Sequence, residues 1–376
     1  MAQRFSAAIK PTLIFVLKGR GFSRAVKVKL IWGFSPVDSM STTQANPVPA
    51  ATTPTSTPKV SVIIPAYKTA HFISNCLDSV FAQTFPDLEA IVVNDGSPDT
   101  PELERVLAPY IERHPDRLVY IKQENKRAAG ARNNAIRNAR GEYVAFLDSD
   151  DTWMPDHLAN QMQLFAADPA LGLTYSNGLV GIPGKEREFM QRCPSHGEAT
   201  FATLLIERCQ IPISTVVARR DAIVKAGLFD ETLLRCDDYD MWVRTAFHGA
   251  KIAYSTKVQA RMPVGRPGSL SQSHARMAEG YSKILEKYKT SLPLQPADRE
   301  ILNQRAAYIR ARYHLEEGKS KLDQRDFADA RKFLGLANEY FHKPGLSLTV
   351  LGLGIAPGFT ARLVEFANRL RFGARK

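Results

Sequence analysis

Residues 60–95 read VSVIIPAYKTAHFISNCLDSVFAQTFPDLEAIVVND. Two continuous apolar, β-branched runs, at 60–67 and 88–95, stand on either side of a segment whose apolar residues recur at helical spacing. Runs of this kind are typical of strands that are covered on both faces, whereas the intervening spacing is typical of an amphipathic helix. The stretch therefore predicts a strand, a helix and a second strand at the start of an α/β domain.

The same alternation continues along the chain. The further predicted elements are a helix at 101–113, a strand at 118–121, a helix at 128–139, a strand at 143–147, a helix after Pro155 and a short strand at 171–175. A less regular segment then runs to about Ser271. Repeated strand–helix–strand units predict a doubly wound α/β sheet, in which ligands bind at the carboxyl ends of the strands.

Changes in composition divide the chain into five predicted parts. These are a basic segment at 1–34, a disordered Pro/Ser/Thr linker at 35–58, the α/β domain at 59–275, a helical region at 276–345 and an apolar and basic amphipathic tail at 346–376. Within the helical region, residues 305–340 resemble one hairpin of the tetratricopeptide type. A single repeat cannot bury its own apolar face, so the hairpin is expected to pack on its neighbours.

The positive charge of the chain is concentrated at its two ends. The net charge is +12, and residues 1–58 contain seven lysines and arginines against one aspartate, while 341–376 contain six against one glutamate. The nearly neutral body argues against a nucleic-acid-binding face, so no nucleic-acid partner is expected. Basic ends fit an anionic membrane surface better.

Each end leaves two interpretations open. Residues 4–34 interleave apolar and basic side chains, and they either lie along a membrane interface or form a disordered basic tail. The last segment is either an ordinary capping helix or a membrane-surface helix. In the second case its apolar face comprises Leu363, Val364, Phe366, Ala367 and Leu370, with Arg362, Arg369 and Arg371 toward lipid head groups.

The compartment is predicted from three features of the sequence. No apolar run approaches the roughly 20 residues that span a bilayer, no secretory signal is recognisable, and the four cysteines are widely scattered. These features predict a cytoplasmic protein with reduced thiols, which is peripheral at the inner face of the plasma membrane if its basic ends bind lipid.

Three acidic clusters fall where the predicted sheet would expose them. In the first, at the end of the second strand, Asp95 either binds a nucleobase or ribose or belongs to an ordinary turn at Gly96. In the second, after the fourth strand, three carboxylates between Asp148 and Asp151 would repel one another unless a cation lay among them. Oxygen ligands alone predict Mg²⁺ or Mn²⁺ rather than zinc.

The third cluster, Asp237-Asp238-Tyr239-Asp240, stands before an apolar stretch that begins at Met241. A carboxylate in a partly desolvated cleft suits a general base that takes a proton from a hydroxyl. Acids in the first turn of a helix are also common as a stabilising feature of that helix. The residues alone favour neither of these two interpretations over the other.

In order and spacing, these clusters resemble the inverting glycosyltransferases of family 2, which have the GT-A fold, and in particular bacterial members that act on cell-surface polysaccharide. The matching blocks are VSVIIPAY at 60–67, VVNDGS at 92–97, GARNNAIRNARGEYVAFLDSDDTWMPDHL at 130–158, GLFDETLLRCDDYDMWVR at 227–244 and RPGSLS at 266–271. The sequence departs from the family at three places: Asp237 replaces the usual Glu, Lys126-Arg127 occupies a stretch that often contains Gly, and residues 1–58 have no counterpart.

The resemblance implies a role for each matching residue. The expected nucleotide-sugar contacts are Pro65, Ala66, Tyr67, Asp95, Arg127, Arg132, Asp148 and Ser149. Asp148 and Asp150 form the family's D-x-D motif, with Asp150 the more direct ligand of a Mg²⁺ or Mn²⁺ that bridges the donor diphosphate. Asp238 is the implied catalytic base. Further donor or acceptor contacts are expected at Asp237, Trp242, Arg266, Ser269 and Ser271, with Trp242 packing beneath the base.

The implied function is transfer of a sugar, with inversion, from a nucleotide-diphosphate sugar, most of all a UDP-sugar, to a hydroxyl group. The implied acceptor is a glycan or lipid-linked glycan in envelope or exopolysaccharide biosynthesis. A nucleotidyltransferase would need a basic, Gly-rich phosphate loop after the first strand, where this chain reads PAYKTAH. The remaining alternative is a non-catalytic scaffold that senses nucleotide sugars and binds a partner through its helical region.

Overall fold

A computed structural model of the chain describes residues 57–182, 184–264 and 274–372, with side chains for all of these except 274–275 and 368–372. The predicted basic segment at 1–34 and almost all of the linker lie outside the described residues. Arg266, Ser269 and Ser271 also lie outside them. The first described strand begins at Val60, one residue after the predicted start of the α/β domain.

Four parallel strands form the first half of a mixed sheet. They are β1 (Val60–Ala66), β2 (Leu88–Asp95), β3 (Leu118–Gln123) and β4 (Tyr143–Phe146), in the order β3-β2-β1-β4. Helices α1 (Ile73–Phe81), α2 (Thr100–Arg113) and α3 (Arg127–Asn138) connect them. The strands and helices predicted up to residue 147 are all present within a few residues. The parallel register brings the carboxyl ends of β1, β2 and β3 to one edge.

The second half of the sheet is largely antiparallel. It contains β5 (Thr152–Trp153), β6 (Leu171–Gly181), β7 (Arg187–Glu188), β8 (Val217–Arg219) and β9 (Lys251–Pro263). Strand β8 runs antiparallel to β4 and to β6, and β9 lies parallel to β6 and antiparallel to β5. The helices of this half are α4 (His157–Ala167), α5 (Phe189–Arg192), α6 (Phe201–Leu205), α7 (Arg220–Lys225) and α8 (Asp237–Phe247), and Ile213–Thr215 form one 3₁₀ turn.

Two features of this half differ from the sequence prediction. The strand expected at 171–175 continues to Gly181, because polar residues such as Ser176 and Asn177 are buried by pairing with β9. The segment expected to be less regular contains β9, a strand of 13 residues. Lys257 and Arg261 on β9 are exposed, so this half-covered strand lacks the continuous apolar run by which β1 and β2 are recognised.

Two apolar cores cover the opposite faces of the sheet. Because side chains alternate along a strand, Val62 and Ile64 of β1 enter one core while Ile63 enters the other. All three side chains are fully buried. Burial of one such side chain stabilises the fold by about 1.5–3 kcal/mol. Coverage of both faces is therefore the reason that β1 and β2 read as continuous apolar runs.

Five helices follow the sheet. They are α9 (His274–Ser291), α10 (Pro296–Asp323), α11 (Phe327–Phe341), α12 (Pro344–Ile355) and α13 (Pro357–Phe372). Helices α10 and α11 form a hairpin, at whose closest point Gly318 leaves room for Leu334. Among the described residues, no helix combines the length and the apolar character that a membrane span requires.

The C-terminal helices share a core with the sheet. Ile284, Leu285 and Tyr288 of α9 are fully buried in the cluster that contains Trp242 of α8. The boundary predicted between residues 275 and 276, and with it the division into five parts, stays a prediction. Because these α9 side chains belong to the common core, the apolar face of α9 is already packed against the sheet domain.

A buried ion network joins α8 to α9. The Asp240 carboxylate is fully buried and accepts hydrogen bonds from Arg244 Nε at 2.8 Å and Nη2 at 2.6 Å. Lys287 Nζ of α9 donates to Asp240 at 2.8 Å and to Asp230 at 2.7 Å. The Lys287 ammonium helps hold the pKa of Asp230 at about 2, against the opposite effect of burial. The network therefore fixes α9 against the first turn of α8.

We expect Asp240→Ala to lower the free energy of unfolding by about 3–5 kcal/mol, because it leaves Arg244 without its buried partner. Chemical denaturation followed by circular dichroism measures the change. Asp116→Ala, at an exposed carboxylate, serves as the matched control and should change the free energy by less than about 0.5 kcal/mol. Equal effects of the two substitutions would show that the α8–α9 network does not stabilise the fold.

Candidate functional site

The carboxyl ends of β1 and β2 present the first group of predicted residues. Tyr67 follows β1 and is 45% exposed, whereas Pro65 and Ala66 are more deeply placed in the strand. Asp95 ends β2, and its Oδ1 accepts hydrogen bonds from Gln123 Nε2 and from the Lys126 backbone N–H, both at 2.7 Å. These two hydrogen bonds fix the Asp95 carboxylate, which is only 2% exposed, at the end of the strand that neighbours β1.

Gly96 turns the chain sharply after Asp95. Its φ is +63°, and a Cβ atom at this position would lie 2.8 Å from the Asn125 backbone nitrogen. Asn125 Nδ2 also donates to the Asp95 carbonyl oxygen at 2.9 Å. Glycine is therefore required both by the positive φ and by the close approach of the β3–α3 loop. The turn interpretation of this cluster is correct, and the turn is also what fixes the Asp95 side chain.

The second acidic cluster is divided between solvent and core. The Asp148 side chain is about one third exposed, and Asp150 is also partly exposed. Asp151 is buried, and its Oδ2 accepts a hydrogen bond from Ser214 Oγ at 2.5 Å. Burial and the neighbouring Asp148 carboxylate raise the pKa of Asp151 well above its ordinary value.

Protein groups contact two of the three carboxylates in this cluster. Asp151 binds Ser214, and the Asp148 carboxylate pairs with a guanidinium from α3. The expectation that a cation lies among these carboxylates stays a prediction. The two partly exposed carboxylates, Asp148 and Asp150, are those of the predicted D-x-D motif.

The guanidinium group that pairs with Asp148 belongs to Arg132 of α3, and it joins the second acidic cluster to the third. Its Nη2 donates to Asp148 Oδ1 and its Nη1 donates to Asp237 Oδ2, both at 2.7 Å. Arg132 is only 5% exposed and lies over the Phe229 ring, with 5.5 Å between the guanidinium carbon and the ring centroid. Burial alone would lower the pKa of Arg132, but the carboxylates of Asp148 and Asp237 raise it above its ordinary value.

Asp238 has the electrostatic character of a base that works near neutral pH. Burial and the adjacent Asp237 carboxylate raise its pKa to about 6, with Arg132 opposing the increase. Asp238 Oδ1 accepts a hydrogen bond from the Tyr239 backbone N–H at 2.8 Å. A carboxyl group with this pKa is largely ionised at pH 7 and can still accept a proton during a reaction.

The helix-stabilising interpretation of the third cluster describes only part of what the structure shows. Asp237, Asp238 and Asp240 all lie in the first turn of α8, where the helix dipole favours carboxylates. Each of them nevertheless has a separate neighbourhood. Asp237 binds Arg132, Asp240 binds Arg244 and Lys287, and Asp238 is partly exposed between them.

Trp242 lies beneath this turn. The indole is 2% exposed and packs edge-to-face against Phe146 of β4 and Phe229, with ring centroids 5.5 and 6.0 Å away. Trp242 therefore supports the α8 turn from the core. Arg127, by contrast, is exposed at the start of α3 with a φ of +63°.

Further hydrogen bonds connect the loops at this edge of the sheet. Asp99 Oδ2, after β2, accepts from the Ala70 backbone N–H at 3.0 Å. Thr69 Oγ1, after β1, lies 3.0 Å from Ser149 Oγ, after β4. These bonds join the loops after β1, β2 and β4, which contain the first two acidic clusters, and Arg132 joins the second cluster to the third.

The carboxylate oxygens of Asp148 and Asp150 are suitable ligands for a divalent cation that is also bound to a diphosphate. Among the described residues, no three His, Cys, Asp or Glu side chains form a preformed metal cage. Mg²⁺ commonly binds through only one or two carboxylates together with phosphate oxygens of a substrate. Two partly exposed carboxylates beside a buried arginine match that chemistry.

Sequence reasoning missed three residues that position this site. Gln123 binds Asp95, Ser214 binds Asp151, and Lys287 binds Asp240 from the helical region. Gln123 lies opposite Asp95 in the register of β2 and β3, so extension of the predicted third strand by two residues would have found it. Ser214 and Lys287 have no comparable signal, because each is distant in sequence from its partner.

Comparison with known proteins finds similarity to glycosyltransferases. Residues 61–223 match the family model described as glycosyl transferase family 2. An uncharacterised glycosyltransferase of Rickettsia prowazekii is 25% identical over 276 residues, covering 69% of this chain and 82% of that protein. Chondroitin synthase of Escherichia coli is 37% identical over 243 residues, which cover 62% of this chain but only 34% of that enzyme.

Solved structures show the same fold. S. aureus TarS in complex with UDP superposes with a TM-score of 0.54 at 18% identity, covering 84% of this chain and 93% of TarS. The mannosyltransferase PcManGT of Pyrobaculum calidifontis, in complex with GDP-Man and Mn²⁺, has a TM-score of 0.55 at 24% identity, with 85% and 89% covered. The predicted α/β fold of the GT-A type, followed by a helical C-terminal region, is confirmed.

We expect Arg132→Met to destabilise the protein by about 3–5 kcal/mol at pH 7.5, because it leaves Asp148 and Asp237 without their buried partner. In the variant, the two carboxylates lack their compensating charge, so the loss should shrink as the pH falls and they become protonated. Melting temperatures at pH 7.5 and 4.5 measure both effects. The control is Arg137→Met on the same helix, where the side chain is 58% exposed; a penalty independent of pH would contradict this account.

Proposed function

Because residues 61–223 match the glycosyl transferase family 2 model, we propose that the protein is an inverting, metal-dependent hexosyltransferase. It uses a nucleotide-diphosphate sugar, most of all a UDP-sugar. The observation that carries the proposal is the Asp148–Arg132–Asp237 bridge. In support of the proposal, this bridge joins the loop that contains Asp148 and Asp150 to the first turn of α8, which contains Asp238.

In this proposal the donor nucleotide lies along the carboxyl ends of β1 and β2. The backbone of Pro65 and Ala66 and the exposed Tyr67 ring cradle the nucleotide, and Asp95 binds its base. Support comes from the rigid hold of Gln123 and Lys126 on Asp95. Ser149 and Arg127 contribute further donor contacts, and the Arg132 guanidinium stabilises charge near the diphosphate.

A divalent cation, Mg²⁺ or Mn²⁺, held by Asp148 and Asp150 would neutralise negative charge on the diphosphate when the donor is bound. The protein's own contribution at this point is to position the two carboxylates. Arg132 holds Asp148 through a hydrogen bond, and Asp151 binds Ser214 instead of facing this site.

Asp238 is the proposed catalytic base. It takes the proton from an acceptor hydroxyl while the hydroxyl oxygen attacks the anomeric carbon from the face opposite the nucleoside diphosphate. The bond from the anomeric carbon to the diphosphate breaks as the new glycosidic bond forms, and this single displacement inverts the anomeric configuration. Trp242 supports the turn that holds Asp238, and Asp237 fixes that turn to Arg132.

The proposed acceptor is a glycan or lipid-linked glycan of an envelope or exopolysaccharide pathway, reached from the cytoplasmic side of a membrane. The basic composition of the two chain ends supports this location. The alternative is a scaffold that senses nucleotide sugars and binds a partner through its helical region. The packing of α9 favours the enzyme over the scaffold. The apolar face of α9 and Lys287 already contact the domain that contains Asp238, so they are not available to a partner.

We expect UDP-sugars with Mn²⁺ to raise the melting temperature of the purified protein, and a chelator to remove the effect. A ligand concentration of 100 times Kd raises the free energy of unfolding by about 2.7 kcal/mol. Parallel samples with GDP-, dTDP- and CDP-sugars identify the base. Asp150→Ala should lose the metal-dependent part of the shift, whereas Asp87→Ala, at an exposed carboxylate, should retain it. An equal shift in Asp150→Ala would remove Asp150 from the cation site.

We expect Asp238→Asn to retain donor binding but to lose transfer, because an amide cannot accept the hydroxyl proton. In the unsubstituted protein, kcat should fall as the pH drops through about 6, where Asp238 becomes protonated. Since this pKa is raised on folding, the ionised carboxylate destabilises the native state at higher pH. Asp238→Asn should therefore melt at a higher temperature, with a gain that grows between about pH 4 and 6 and then levels off.

Asp221→Asn, in the first turn of α7, is the matched control for both measurements. Full transfer by Asp238→Asn would overturn the base assignment. Donor binding without turnover in the unsubstituted protein, with every donor and acceptor tried, would favour the scaffold instead.

A further inference from the structure

The last two helices expose a row of large apolar side chains. On α12, Leu348, Leu351 and Ile355 are 69%, 58% and 77% exposed. On α13, Phe359, Leu363 and Phe366 are 69%, 56% and 59% exposed. Within each helix these residues are three or four positions apart, so they share one face. We call these six residues the apolar ridge.

The ridge is not the inner face of a poorly packed helix pair. Leu353 of α12 and Ala361 of α13 are buried, and they pack against Ala330 and Leu334 of α11. The exposed residues lie on the opposite sides of α12 and α13 and therefore point away from the α10–α11 hairpin. Six large apolar side chains exposed on one part of a surface indicate an interaction site.

The apolar face predicted from the sequence is corrected by this packing. Val364 was expected on the same face as Leu363 and Phe366, but it turns inward and packs against the buried cluster. Phe359 was not included and is strongly exposed. Because the α13 face that contacts α11 was unknown from sequence, the exposed face could be predicted only approximately. The predicted Leu370 lies outside the residues with described side chains.

The charge around the ridge is complementary to an anionic surface. Residues 341–376 contain six lysines and arginines and one acidic residue, Glu365. Glu365 is neutralised by Arg325 of the α10–α11 connection, at 2.8 Å. Arg362, next to Leu363, and Lys343, at the start of α12, are exposed. Among the described side chains of this segment, exposed basic groups therefore outnumber acidic ones, and the one acidic group is already paired with Arg325.

This charge argues against a second copy of the chain as the occupant. Two identical ridges in contact would bring two strongly basic segments together, and like charges across an interface oppose association. An interfacial amphipathic helix has the opposite requirement, since it combines exposed Phe and Leu with Lys and Arg toward anionic lipid head groups. The ridge has both of these features.

We propose that the apolar ridge of α12 and α13 docks on an anionic lipid bilayer. The side chains of Phe359, Leu363 and Phe366 enter the boundary between head groups and acyl chains, and Arg362 and Lys343 contact lipid phosphates. This inference adds a membrane-docking surface to the proposed function and does not depend on sugar transfer. Its readout therefore needs neither donor nor acceptor.

The test is co-sedimentation of the purified full-length protein with vesicles of phosphatidylglycerol and phosphatidylcholine in equal parts. We expect the protein to bind these vesicles, to lose binding at high salt, and to bind phosphatidylcholine vesicles weakly. The double substitution Leu363→Glu with Phe366→Glu should lower partitioning by about tenfold or more, because it places charge where apolar side chains enter the interface.

Val224→Glu is the matched control, since Val224 is 54% exposed on α7, away from the ridge. It should leave partitioning unchanged. Circular dichroism confirms that both variants are folded, and donor-induced thermal shifts report on the nucleotide site separately. A folded double variant that binds vesicles as well as the unsubstituted protein would overturn the proposal.

Sedimentation velocity without lipid tests whether a second copy of the chain, rather than a bilayer, covers the ridge. A monomer that binds anionic vesicles supports the proposal. A dimer that the double substitution converts to monomers, with no binding to vesicles, would assign the ridge to self-association and overturn it. Equal binding to vesicles with and without phosphatidylglycerol would overturn the assignment of an anionic surface.

Discussion

The buried guanidinium of Arg132 is the constraint on which the rest of the site depends. It binds Asp148 from the end of β4 and Asp237 from the start of α8, two segments that are far apart in sequence. Transfer of a charged group from water to the protein interior is costly unless the group is paired and hydrogen-bonded. Two carboxylates with good geometry meet this requirement, so the arginine fixes the distance between the loop after β4 and the first turn of α8.

The same arrangement gives neighbouring carboxylates different tasks. Asp148 and Asp237 both contact Arg132, whereas Asp151 is buried against Ser214 and its pKa rises well above the ordinary value. Asp238 lies between these extremes, with a pKa of about 6. In the proposed mechanism, such a separation of pKa values by environment would let one cluster of acids both attract a cation and accept a proton near neutral pH.

The helical region is part of this arrangement. Lys287 binds Asp240, one turn from Asp237 on the same helix, and Tyr288 is buried in the core beneath it. The first turn of α8 is therefore held from two sides, by Arg132 of the sheet domain and by Lys287 of α9. Beyond α11 the packing changes character, because α12 and α13 bury one face and leave the opposite apolar face exposed.

The sequence by itself determined the fold class, the parallel half of the sheet and the placement of Asp95, Asp148 and Asp237 at strand or helix ends. Local periodicity is sufficient for these, since strands covered on both faces read as continuous apolar runs. Only the tertiary structure decided that Asp151 faces the core, that Lys287 supports α8, and that Phe359 rather than Val364 is exposed on α13. Each of these depends on a partner that is distant in sequence, and local patterns contain no information about such partners.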